Sequence, residues 1–152
     1  MKLISHRGNI HGPEPEFENT LERIDYCISK GYDVEIDLWV IDDKFFLGHD
    51  SPEHKVSFNF LRCRSKSLWI HCKNIDAFYY LCDYDFNFFW HENDEFTLTS
   101  GKFIWTYPKE SYDYVLKKNQ ILLDFGEISK EKYESYQNLG IYGLCCDYIP
   151  NY

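Results

Sequence analysis

Two carboxylates alternate with three aliphatic side chains in Val34-Glu35-Ile36-Asp37-Leu38. In a strand, Glu35 and Asp37 share one face while Val34, Ile36 and Leu38 pack on the other. Two acids on one face repel unless positive charge lies between them. Hard divalent cations such as Mg²⁺ or Ca²⁺ take oxygen donors of this kind, and the two-residue spacing lets both carboxylates reach one ion. The spacing also fits a solvent-facing polar edge, since Asp and Glu are usually exposed, and E-x-D alone is a weak motif. The metal reading gains from its company: His6-Arg7, His49-Asp50, His71 with Lys73, His91 and Asp147. Imidazoles move protons near neutral pH, while an ion and a guanidinium hold phosphoryl oxygens. Together these are the parts for metal-assisted chemistry on a phosphate ester.

Each of these residues ends an apolar run. Lys2 to His6 reads as a buried strand followed by the loop Arg7-Gly8-Asn9, and the prolines within 11–16 keep the next segment irregular. Leu21, Ile24, Cys27 and Ile28 recur at helical spacing and Gly31 closes that helix, so the strand at 34–38 completes a parallel βαβ unit. Ile41 to Lys44 forms the turn of a hairpin whose second arm delivers His49 and Asp50. Residues 51–65 read as irregular, with Phe58, Phe60 and Leu61 as anchors and at most a short helical turn.

Ser67 to Asn74 is the third strand, with Trp69, His71 and Lys73 on one face. A helix follows over 75–82, then a strand over 86–91 that ends at His91. Phe96 to Thr99 and Phe103 to Thr106 form two short strands parted by Ser100-Gly101. A helix over 112–118, a strand over 120–125, a helix over 130–139 closed by Gly140 and a strand over 142–147 complete the chain. Alternating strands and short helices predict an α/β fold, and about eight strands with no evident edge suggest a closed parallel barrel. Ordinary barrels of this type need about 250 residues, whereas this chain has 152. The expectation is therefore a compact, truncated TIM-like (β/α) barrel, one domain over residues 1–152, with several helices shortened or missing. Either the barrel closes incompletely or a homo-oligomer covers its open edges.

Aromatic residues make up 19% of the chain, with 13 Tyr and 12 Phe, so rings build the core alongside aliphatics. The net charge of −9 argues against general binding to nucleic acid or anionic membranes, which needs a basic surface. No secretory leader or membrane-spanning run is evident, so a cytoplasmic location without a membrane anchor is expected. The six cysteines then read as small buried hydrophobes and not as disulfides.

The strings Ser5-His6-Arg7-Gly8, Glu18-Asn19-Thr20, Gly31-Tyr32-Asp33-Val34-Glu35-Ile36-Asp37 and Gly48-His49-Asp50 resemble, in order and near-matching spacing, the glycerophosphodiester phosphodiesterase family of phospholipase-C-like barrels. The resemblance covers the first third of the chain. It implies a phosphoric diester hydrolase acting on a small glycerol- or polyol-phosphate diester. His6 and His49 would be the acid/base pair, Arg7 a phosphate ligand, and Glu35 with Asp37 ligands to Mg²⁺ or Ca²⁺. Glu18 and Asn19 would begin the first helix and brace the site. Asp50 would orient His49 or cap the following turn. Where the family carries E-x-K, this chain has His71-Cys72-Lys73. Lys73 keeps the phosphate contact and His71 replaces the third carboxylate, as a metal ligand, substrate contact or buried filler. Imidazole favours transition metals over Mg²⁺ or Ca²⁺. His91 joins the phosphate-binding candidates, although the aromatic run before it reads as core. Asp147 lies in a string similar to the family's terminal T-D-x-P with one residue inserted. A second reading is a non-catalytic protein that binds a phosphorylated sugar or polyol in the same pocket. A third is a metal-free, lyase-like relative, which the two acids disfavour.

Overall fold

A computed structural model of the chain describes residues 1–107 and 118–152. The helix expected over 112–118 falls, apart from Lys118, outside the described residues. The first strand, β1 (Lys2–His6), leads through a turn-rich loop to helix α1 (Leu21–Ser29) and then to the long strand β2 (Asp33–Ile41). Thr20 caps α1 by accepting the Arg23 amide, and Gly31 leaves the helix with a left-handed backbone. Glu18 and Asn19 therefore lie in the turn before the helix and do not begin it.

Strand β2 is shared between two pairings. Its first half lies parallel to β1, and residues 34–38 lie parallel to β5 (Leu68–Cys72) on the other side. Its last residues form a hairpin with β3 (Lys44–Leu47). Asp42 and Asp43 both have positive φ there, as a two-residue turn of matching twist requires. Residues 51–67 are more ordered than their polarity suggests: β4 (His54–Val56) extends the hairpin, and α2 (Phe58–Cys63) is followed by a single 3₁₀ turn. Phe58 packs its ring in tilted and edge-on contacts against Phe45, Tyr80 and Tyr84, contacts that local periodicity cannot reveal.

The remaining elements are α3 (Ile75–Leu81), β6 (Asn87–Phe89), β7 (Phe96–Leu98), β8 (Ile104–Thr106), β9 (Gln120–Asp124), α4 (Lys130–Leu139) and β10 (Gly143–Cys146). Parallel pairing runs β6-β5-β2-β1-β10-β9-β8, while β7 pairs antiparallel to β8. The fold is thus a truncated TIM-like barrel, and it departs from full closure at one seam. Between β6 and the β7–β8 hairpin no ladder is recorded among the described residues. Instead the Ser100 amide donates to the Phe88 carbonyl at 2.8 Å and the Thr97 hydroxyl to the Trp90 carbonyl at 2.7 Å. Short helices survive after β1, β5 and β9, where they cover the outer face.

Strand parity separates two apolar clusters. Val34, Ile36, Leu38, Ile70, Phe88, Leu122 and Leu144 face outward to Ile24 and Cys27 of α1 and Ala77 and Leu81 of α3. Ile4, Trp69, Phe89, Trp105, Ile121, Leu123 and Cys145 fill the barrel interior. At its N-terminal end the Trp69 indole donates to Asp33 at 3.0 Å, and Lys2 pairs with the same carboxylate. Among the described residues all six cysteines are free, with Cys63 and Cys82 exposed and the other four buried, and no helix is long and apolar enough to cross a membrane.

Gly48 links the hairpin to the site. Its amide donates to the Asp37 carbonyl at 3.2 Å and its carbonyl accepts the Trp39 indole at 2.7 Å. With φ at +147°, a Cβ there would meet the Ser51 carbonyl, which is fixed main chain. Gly48→Ala is expected to destabilise the fold by about 1–3 kcal/mol, measured as a lowered urea midpoint with unchanged slope.

Candidate active site

The strand-end residues converge on a cavity of ≈ 570 Å³ at the C-terminal ends of the parallel strands. His6, Arg7, Glu35, Asp37, His49, His71, Lys73 and His91 all line it. Glu35 and Asp37 lie inward on β2 as their alternation predicts, and both are buried, at 3% and 0% exposure. The β2–β5 register sets Asp37 opposite His71. One ligand atom from each of Glu35, Asp37 and His71 lies within 4.8 Å of the others.

Asn19 anchors Asp37 from both sides: its amide nitrogen donates to Asp37 Oδ2 at 3.0 Å, and its carbonyl oxygen accepts the Asp37 main-chain amide at 2.9 Å. Asn19 does so from a left-handed backbone, with its own amide bound to the Arg7 carbonyl. Asp37 Oδ1 is different. It is buried without a hydrogen bond, although His71 Nδ1 at 3.1 Å and Lys73 Nζ at 3.5 Å are close. An orphaned carboxylate oxygen beside a second carboxylate and an imidazole fits a divalent cation.

His6 and Asp147 meet across the β1–β10 pairing, Nδ1 to Oδ1 at 2.8 Å, leaving His6 Nε2 on the cavity side 3.9 Å from Glu35. Asn9, buried and absent from the sequence candidates, joins this pair to the next residue along: its side-chain amide donates to Asp147 Oδ1 and to Glu18 Oε1, each at 2.8 Å. Glu18 in turn accepts Arg7 Nη1 at 3.2 Å. Arg7 Nε lies 3.3 Å from Asp37 Oδ2 without forming a hydrogen bond. Glu18, Asn9 and Asn19 thus position Arg7, Asp147 and Asp37.

His49 stands at the rim, with Asp50 on its Nδ1 at 2.7 Å. His71 stacks on Phe89, and His91 on Tyr107 with ring centroids 3.6 Å apart. Trp105, Tyr107, Leu123 and Phe125 form an apolar wall opposite the charged groups, and Phe125 packs on His6. Trp105 reaches the cavity, whereas Trp69 lies in the interior below and Trp90 packs on the outer cluster. Tyr107 and Phe125 were findable by parity, being two residues beyond the inward Trp105 and Leu123. Glu92 and Asn93 also line the cavity and carried no sequence signal.

The site pushes its titrating groups apart. Burial raises the Glu35 pKa, and the Asp37 charge adds to that. Burial would raise Asp37 too, but His71, Arg7 and Lys73 outweigh it and hold that carboxyl far below the usual range. For His6, burial opposes protonation, yet the Asp147 hydrogen bond and the Glu35 charge prevail and lift its pKa above 6.5. His91 moves the other way, chiefly through burial. Opposed shifts of this kind, from burial and specific charge partners within one cleft, are what catalytic sites use to keep an acid and a base in different protonation states.

No family model and no curated protein sequence matches the chain. Among solved structures, the chain is similar to a "putative glycerophosphodiester phosphodiesterase" from Galdieria sulphuraria. The match covers 97% of this chain and 94% of that one at 13% identity, with a TM-score of 0.50. At that identity the likeness is one of fold.

Proposed function

We propose that the protein is a metal-dependent phosphoric diester hydrolase acting on a small glycerol- or polyol-phosphate diester. The observation that carries this reading is the orphaned Asp37 Oδ1, set among Glu35, His71 and Lys73 in the cavity that also holds the His6–Asp147 pair. The barrel fold supports it, since sites of such folds form at the C-terminal strand ends. A cation held by Glu35, Asp37 and His71 would supply Lewis-acid polarisation of the phosphoryl group.

The protein's own groups do the rest. Arg7 and Lys73 neutralise the non-bridging oxygens, the guanidinium by its planar fork and the ammonium as a point charge. His6, whose protonated form the Asp147 hydrogen bond favours, donates a proton from Nε2 to the leaving alkoxide. His49, oriented through Nδ1 by Asp50, takes the proton of the attacking hydroxyl or water at its other nitrogen. The apolar wall of Trp105, Tyr107, Leu123 and Phe125 limits water around the ester.

Purified protein supplied with glycerophosphodiesters and a divalent metal should release the alcohol, lose that activity on chelation and regain it on metal addition. Turnover indifferent to chelation would refute the reading. The second reading, binding of a phosphorylated polyol without turnover, draws on His71 in place of a third carboxylate. It predicts calorimetric binding with no hydrolysis across the same panel.

A further inference from the structure

We propose that the metal centre is tuned by His71 toward a first-row transition-metal ion and away from Mg²⁺ and Ca²⁺. The inference rests on the reading of Glu35, Asp37 and His71 as a metal centre, and concerns which ion they take. The main chain sets the state of the imidazole. His71 Nε2 lies 3.1 Å from the His91 carbonyl oxygen, which can only accept, so Nε2 carries a hydrogen. In the neutral ring, Nδ1 then bears the lone pair, and it stands 3.1 Å from Asp37 Oδ1.

With Nδ1 bearing the lone pair, two acceptor atoms face one another at that distance; the Lys73 ammonium, 3.5 Å from Oδ1, offsets part of the repulsion, and a cation shared by both atoms would relieve it. The ring has little freedom to turn away: it stacks on the buried Phe89 at an interplanar angle of 11°, and Asn19 holds the partner carboxylate. A histidine that donates one ring N–H to a backbone carbonyl and presents the other nitrogen to a carboxylate cluster has the arrangement of a metal ligand. The donor set is then two carboxylates and one imidazole. Mg²⁺ and Ca²⁺ favour oxygen-only surroundings, whereas imidazole binds zinc, cobalt and their neighbours well.

The test uses the full chain stripped of metal and titrated by calorimetry with Zn²⁺, Co²⁺, Mg²⁺ and Ca²⁺, beside His71→Glu and His71→Gln. Any mixed site prefers Zn²⁺ to some degree, so the diagnostic quantity is the change between variants. His71→Glu should narrow the Zn²⁺ to Mg²⁺ affinity ratio by about tenfold or more. Pulsed electron paramagnetic resonance of bound Mn²⁺ should show imidazole nitrogen coupling in the wild type that both variants lack. The wild-type spectrum stands even if a variant misfolds. An unchanged ratio, no nitrogen coupling in the wild type, or no stoichiometric metal binding would each overturn the proposal. Diester hydrolysis with Mg²⁺ and no nitrogen coupling would sink this inference and leave the proposed function standing. Nitrogen-ligated metal without hydrolysis of any diester would do the reverse.

Discussion

Glu35→Gln should reduce phosphodiester turnover by about a thousandfold, the equivalent of several kcal/mol of lost transition-state stabilisation, while leaving the metal-free protein at least as stable as the wild type. Glu35 is buried beside the ionised Asp37, and both effects raise its pKa. A carboxyl whose folded-state pKa lies above its unfolded value disfavours folding once ionised, so its penalty grows as pH rises through the range above about 4.3. Gln removes that charge, keeps the shape and still accepts the Arg7 amide, which now reaches Glu35 Oε2 at 3.3 Å. Urea midpoints in chelator should therefore favour the variant more at neutral pH than near pH 4, whereas added metal should stabilise the wild type and not the variant. A variant that turns over like the wild type would remove Glu35 from the metal centre.

His6→Ala should cost about a hundredfold to ten-thousandfold in kcat, the usual range for a positioned general acid. Asp147→Asn should cost less and leave a more specific mark. The Asp147 hydrogen bond is the strongest of the influences that raise the His6 pKa against burial. Without it the imidazole deprotonates at lower pH, so the alkaline limb of kcat/KM, where the acid form is lost, should move to lower pH. A profile displaced in the opposite direction, or unmoved, would mean that His6 does not act in its protonated form.

How much of this site could be read along the chain depends on which physical rule places each residue. Alternation in a strand is a property of a single segment, so the shared inward face of Glu35 and Asp37, and of Trp69, His71 and Lys73, followed from spacing alone. The same rule would have added Tyr107 and Phe125, which continue the inward positions of β8 and β9. The stretch from 51 to 67 was legible only in part. Its strand and helix are short, and they persist because Leu61 is buried and Phe58 half-buried against residues from other elements, a case of tertiary contact overriding weak local preference.

By itself the sequence determined most of the strands and helices outside residues 51–67 and 108–117, the face each of those apolar runs buries, and the ends at which the charged residues emerge. Each of these follows from the backbone's own period. Only the tertiary structure decided that Asp147 meets His6 across a separation of 141 positions, that Asn9 ties both to Glu18, and that Asp37 Oδ1 is left without a hydrogen bond beside His71. Those meetings depend on β10 closing onto β1 and on the register of β5 against β2. Register is fixed by the packing of the whole barrel, and no single segment carries that information.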